Sequence, residues 1–222
     1  DRAYVRDYVN ESDQEAILES IRDAARRSDV VIATLHTHEG ENENWYATYA
    51  PKFVEEFARK TIDAGATCFV GQGAHFPRGV EVYKGCPIFY NLGSLLMEFE
   101  SGESMISPEM YETYHLGPDA HPSDLHSNRA QKPDGSWNGF YSERRFSTNF
   151  LVVLDINEEG ASYEIVPLDL DMHRENNLKR GLPEISTPEE GKKFAEYLAH
   201  ASERYGVSFA YCEETGAISF DA

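Results

Sequence analysis

Apolar residues recur along this chain with two different periods. In residues 12–28 (S-D-Q-E-A-I-L-E-S-I-R-D-A-A-R-R-S), Ile17, Leu18, Ile21 and Ala25 fall at helical spacing. Ser12 or Asp13 is placed to cap that helix, acids come early, and Arg26 and Arg27 sit in its last turn, as the helix dipole favours. The next run, 29–35 (D-V-V-I-A-T-L), is short and β-branched, which predicts a strand buried on both faces. A second helix is predicted over 51–64, with Pro51 in its first turn, Phe53, Phe57 and Ile62 inward, and Gly65 as its stop. A strand at 67–70 leads into the turn 71–77 (G-Q-G-A-H-F-P), and strands at 80–83 and 87–90 bracket Lys84-Gly85. This strand–helix–strand order predicts an α/β layered domain, with any site in the loops at strand C-termini.

The pattern changes after residue 100. Residues 100–146 are rich in Ser, Pro, Gly, Asn, Tyr and His and weakly periodic, and so long a structureless segment is expected to cover a functional site. Strands at 150–156 and 161–166 form a hairpin pattern around 157–160, a helix over 188–204 opens with Thr187-Pro188, and 208–211 pairs with 218–220. With no internal repeat or linker, the 222 residues read as a single domain.

Composition narrows the function. Apolar residues make up 41% and aromatics 12%, enough for a sizeable core. The formal charge of −19, from 39 acidic and 20 basic residues, repels a phosphate backbone and argues against nucleic acid. It fits a well-solvated acidic surface or the attraction of cations to a metal site. Three cysteines without a C-x-x-C pair give neither a disulfide framework nor a zinc knuckle, and Cys68, in an apolar run, is expected to be a buried thiol. No apolar run approaches the ~18–20 residues of a membrane span. The chain starts at Asp1 without a leader pattern. The true N-terminus is therefore expected to lie elsewhere, and the compartment stays open between cytoplasm and cell envelope.

The strongest chemical signal is His36-x-His38-Glu39 directly after the first strand. Alternate residues of extended backbone share a side, so His36 and His38 can face one ion or substrate, with a carboxylate near for ligation or proton transfer. The plainer alternative is a polar surface loop. His75 leaves a Gly-rich turn, where Gly71 and Gly73 allow close backbone approach, at what reads as the neighbouring strand end. Asn91 or Ser94, flanking Gly93, can bind a substrate oxygen, or they simply end a strand. His115, His121 and His126 are candidate lid residues, Arg144 and Arg145 a candidate anion clamp or plain surface charge, and His173 and His200 carry no signal. There is no G-x-S-x-G elbow, P-loop, H-E-x-x-H helix or G-x-G-x-x-G turn.

These segments, in this order, resemble the CapA type of capsule and poly-γ-glutamate biosynthesis proteins, which are related to the calcineurin-like metallophosphatases. The resemblance is carried by 29–39 (D-V-V-I-A-T-L-H-T-H-E), by 62–66 (I-D-A-G-A) followed by 71–75 (G-Q-G-A-H), and by 78–94 (R-G-V-E-V-Y-K-G-C-P-I-F-Y-N-L-G-S). Gly181-Leu182-Pro183 and the following helix fit the family's tail, so most of the chain is covered. The resemblance implies a metallophosphatase-like layered sandwich of mixed sheets flanked by helices. It also implies one or two divalent ions (Mn, Zn, Fe, Ca or Mg), with His36 and His75 as ligands, His38 as a ligand or proton-transfer group and Glu39 as proton-transfer group. Gln72, Asn91 and Arg78 are the expected substrate contacts.

Two positions depart from the family pattern. Gln72 stands where the first histidine of G-H-x-x-H is expected, and Ser94 replaces the Asn of L-G-N. The family's N-terminal metal-binding segment has no counterpart in these residues, so the chain is expected to be the C-terminal part of the domain. The activity implied is metal-activated hydrolysis of a phosphoester or of an amide or peptide such as polyglutamate. The alternatives are a metal-assisted peptide epimerase on the same fold, or a non-catalytic assembly protein with a degraded metal site.

Overall fold

In the computed structural model, which describes residues 7–97, 106–157 and 160–220, the first helix starts earlier than Ser12. The Asn10 side-chain oxygen accepts the Ser12 and Asp13 amide protons at 3.1 and 3.3 Å, so α1 runs Glu11–Ala25. A side-chain acceptor there satisfies amides that lack a partner inside the helix. β1 (Ile32–His36), α2 (Lys52–Asp63), β2 (Cys68–Gln72), β3 (Val80–Tyr83) and β4 (Cys86–Phe89) follow. β1, β2 and β4 run parallel and β3 antiparallel, in the order β1-β2-β4-β3. Ala33, Phe69 and Ile88 of this sheet pack with Val54, Ala58 and Ile62 of α2, with Ile21 of α1 against the same core.

The second half comprises α3 (Pro108–Thr113), α4 (Pro122–Ala130), β5 (Thr148–Asn157), β6 (Gly160–Asp169), β7 (Glu184–Ile185), α5 (Pro188–Ala201), β8 (Phe209–Tyr211) and β9 (Ile218–Phe220). Thr187 caps α5 by accepting the Glu190 amide proton at 3.3 Å, with Pro188 in the first turn. The strands form an antiparallel sheet in the order β5-β6-β9-β8, with β7 paired to β6. The two sheets and α5 share one core of Val80, Phe89, Phe150, Ile165, Phe194, Leu198 and Ile218. The expected α/β layering of two sheets flanked by helices is therefore present. Cys68 is buried, as its apolar run suggests.

Two expectations need correction. β1 is not buried on both faces: Ile32 is 51% exposed and Thr34 and His36 are exposed with it. It is an edge strand whose outward alternate positions lack cover among the described residues, and a β-branched run alone does not distinguish an edge from a centre. The second correction concerns the stretch after residue 100, of which 106–146 lies within the described residues. It is not structureless, since it holds α3, α4 and two 3₁₀ turns, and Ala130, Tyr141 and Phe146 join Phe76, Leu170 and Met172 in a core of their own.

Candidate functional site

Pairing of β1 with β2 places His36 beside Gln72 and Leu35 beside Gly71. The alternation that buries Ala33 turns His36 outward, and His38, two residues later, comes back alongside it. The Nε2 atoms of His36 and His38 lie 3.4 Å apart. His75 is the third ring of the cluster, its centroid 5.7 Å from that of His38. The sequence-derived trio of imidazoles is thus gathered at two adjacent strand ends.

Close backbone nesting makes this possible. The Thr37 amide donates to the Gln72 carbonyl at 2.9 Å. A Cβ on Gly73 (φ +115°) would fall 2.4 Å from the Thr37 carbonyl oxygen and 2.9 Å from His38 Cδ2, so only glycine lets the second loop lie under the first. His75 itself takes φ +63°, a left-handed conformation that non-glycine residues adopt rarely and that collects at functional sites. Its Nδ1 is 3.1 Å from Ser94 Oγ, and the Ser94 amide donates to Asn149 Oδ1 at 3.0 Å. Gly93 (φ +83°) is required here too, because Asn149 Oδ1 occupies the place of its Cβ. With Nδ1 engaged, Nε2 is the His75 nitrogen left for an ion or a proton. Burial, and then the neighbouring His38 and His36, pull the His75 pKa below its ordinary value, favouring a neutral ring with a lone pair.

The other expected site residues are placed differently. Gln72 is exposed at the end of β2, next to His36 in register. Among the described residues no hydrogen bond or ion pair joins the Glu39 carboxylate to the imidazoles, and Glu39 instead lines a cleft with Leu35, Phe53 and Phe57 on the helical side. Arg78 is 1% exposed and works as a strut: its guanidinium donates to the Glu39 carbonyl at 2.7 Å and the Trp45 carbonyl at 3.1 Å, above the Phe76 ring. Burial lowers its pKa to about 10, which leaves it charged at neutral pH. Asn91 is likewise buried, its Oδ1 accepting the Gly93 amide proton at 3.0 Å and its carbonyl accepting that of Arg78 at 3.0 Å. Both residues shape the loops from behind.

Arg144 bridges to Asp169 and Glu190, each at 2.8 Å, and Arg145 pairs with Glu143. His121 sits at the start of α4, where its amide donates to Asp124. His173, which carried no sequence signal, stacks on Trp137 with centroids 4.3 Å apart. Sequence reasoning missed Asn149, which orients Ser94 from the other sheet, and Phe140, whose ring meets His75 edge-on at 5.2 Å.

The donor set fits part of a metal site. Two nitrogens each about 2.1 Å from a tetrahedral ion lie roughly 3.4 Å apart, and His36 and His38 Nε2 have that separation. Among the described residues, no group of three or more His, Cys, Asp or Glu side chains is arranged to hold an ion. The arrangement brings two imidazole nitrogens together with a third imidazole nearby.

Residues 2–98 match the family model described as bacterial capsule synthesis protein PGA_cap. Over that segment, just under half of its length, the chain is similar to capsule biosynthesis proteins of the CapA type. The match agrees with the α/β architecture, since the PGA_cap type has a metallophosphatase-like fold. A CapA-type relative in Bacillus subtilis, the PGA biosynthesis protein CapA, is 30% identical over 105 residues, covering 47% of this chain and 26% of that protein. A probable polyglutamine synthesis accessory protein of Mycobacterium tuberculosis is 36% identical over 75 residues, 34% of this chain and 18% of its own. An uncharacterized protein of Sinorhizobium fredii, y4sH, is 28% identical over 215 residues, 95% of this chain. The chain spans about half the length of that relative, 45%. No helix among the described residues is long and apolar enough to cross a membrane.

Proposed function

We propose that this CapA-type chain carries the histidine-bearing part of a metal-dependent hydrolase of capsule-polymer biosynthesis, acting on an amide, peptide or phosphoester bond. The observation that carries the reading is the 3.4 Å separation of His36 and His38 Nε2, the spacing of two ligands on one ion. A divalent ion bound there supplies Lewis-acid polarisation and a water of lowered pKa. The chain's own groups do the rest. His36 and His38 hold the ion, and His75, kept neutral and oriented by Ser94, offers Nε2 to the ion or to a proton. Gln72, exposed beside His36, is the nearest neutral contact for a substrate oxygen. Phe140 screens His75 from water on one side. The remaining ligands come, in this reading, from groups outside the described residues.

The test is metal content. Protein purified without chelator should hold a stoichiometric divalent ion, and His36→Ala and His38→Ala should each remove it with the hydrolytic activity. A wild-type protein that binds no such ion at micromolar concentration would sink the proposal. A second reading, a non-catalytic assembly protein, is favoured by one observation: Gln72, a weak neutral donor, stands beside His36 where a further imidazole is expected. Under it, both histidine variants leave polymer synthesis in the cell unchanged.

A further inference from the structure

β1 has an open side. It stands at one end of the sheet order β1-β2-β4-β3. The backbone bonds at its two ends, from the Thr67 amide to the Val31 carbonyl and from the Thr37 amide to the Gln72 carbonyl, both run to the β2 side. Backbone groups alternate in direction along a strand, so those of Val31, Ala33, Leu35 and Thr37 point toward β2 and those of Ile32, Thr34 and His36 point away from it. Among the described residues no strand pairs with that outer row. β1 (I-A-T-L-H) also carries neither lysine nor proline, two common guards of an open edge.

The surroundings of this edge are apolar, with an acidic rim. On the face opposite Ala33, Ile32 is 51% exposed. On the helical face, Leu35 of β1 joins Val9, Ile17, Phe53 and Phe57 in lining a cleft of about 450 Å³. The charged side chains at that cleft are Asp7, Asp13 and Glu39, and no basic one lines it among the described residues. Nor do these three acids have an ion-pair partner among the described residues.

An apolar floor with a rim of one sign selects its occupant by charge. A second copy of this chain, of net −19, would bring acid against acid. A segment carrying lysine or arginine is attracted instead, and an extended backbone satisfies the outward donors and acceptors, as in strand addition to a sheet edge. We propose that the open edge of β1 and the adjoining cleft form a docking site for an extended, basic segment of a partner polypeptide, added as a further strand. Its alternate apolar side chains enter the cleft beside Leu35, and the basic ones that flank them meet Asp13 and Glu39. The site is independent of the metal reading and needs no ion.

Fluorescence anisotropy with labelled K-T-V-T-V-T-K, in the presence of chelator, tests it against E-T-V-T-V-T-E and a helix-forming peptide of equal positive charge. The basic strand peptide should bind saturably, at least tenfold more tightly than either control, and more weakly as ionic strength rises. Thr34→Pro removes one outward amide proton and leaves the bonds to β2 in place, so it should weaken binding about threefold to tenfold. Asp13→Asn and Ile17→Ser, both at exposed positions of α1, should each weaken it about threefold with an unchanged circular dichroism spectrum. Bound peptide should slow amide exchange at Ile32, Thr34 and His36 but not in β3. Absence of binding, equal binding of the acidic or the helical peptide, or unchanged affinity in all three variants overturns the proposal. So does self-association that Thr34→Pro abolishes, since it would put a second copy on the edge.

Discussion

At Gly73 a methyl carbon would stand where the Thr37 carbonyl oxygen and the His38 ring already are. Gly73→Ala adds that clash to an unfavourable φ of +115°, so it is expected to destabilise the fold by about 2–4 kcal/mol and to spread His38 away from His36. Urea unfolding measures the first effect, and divalent-ion affinity the second. An unchanged affinity would show that the nesting of the two loops does not set the histidine geometry. At this scale the sequence was readable where a local rule applied. His36 and His38 follow from strand alternation, and Gly73 from its place in the turn. Asn149 and Phe140 were not readable, because each acts on a residue far away in the chain through a contact that leaves no local pattern.

At the scale of elements, Arg78 ties three segments together. It lies between the 71–77 turn and β3 and reaches the carbonyls of Glu39 and Trp45, so the loop after β1 is fixed to the loop after β2. Arg78→Met keeps much of the volume but leaves both carbonyls without their charged donor, for an expected loss of about 2–4 kcal/mol. Hydrogen exchange should quicken over residues 37–45 more than over α5. Uniform quickening would mean that Arg78 serves the whole core rather than one loop. Helices and hairpins were legible from the sequence to within a few residues because caps and turn residues are local. The exposure of β1 was not, since it depends on how far the second sheet extends, and the helices hidden in 106–146 lacked an amphipathic period to reveal them.

At the scale of the molecule, the three thiols report on different depths. Burial, and then Cys86, push the Cys68 pKa up to about 11, whereas a hydrogen bond from Thr215 lowers that of exposed Cys212. The thiolate is the reactive form. At pH 8, Cys212 should therefore be alkylated first in the native protein and Cys68 only when the whole domain unfolds. Mass spectrometry of labelled peptides across a urea series checks this, with Cys68 labelling expected to follow the global transition. Early labelling of Cys68 would mean that β2 opens on its own. The excess of negative charge acts at this scale as well, raising the local concentration of counter-cations near the surface.

The register of β1 against β2 has a further consequence for how this protein can change over time. Ala33 faces the core and His36 the cluster because of one two-residue alternation, fixed by the pairing of Ile32 with Cys68 and His36 with Gln72. A single-residue insertion or deletion between Ala33 and His36 would turn the imidazole into the apolar layer and an aliphatic side chain outward. Substitution can alter this cluster one side chain at a time. Changes in length cannot, because they would take the core with them.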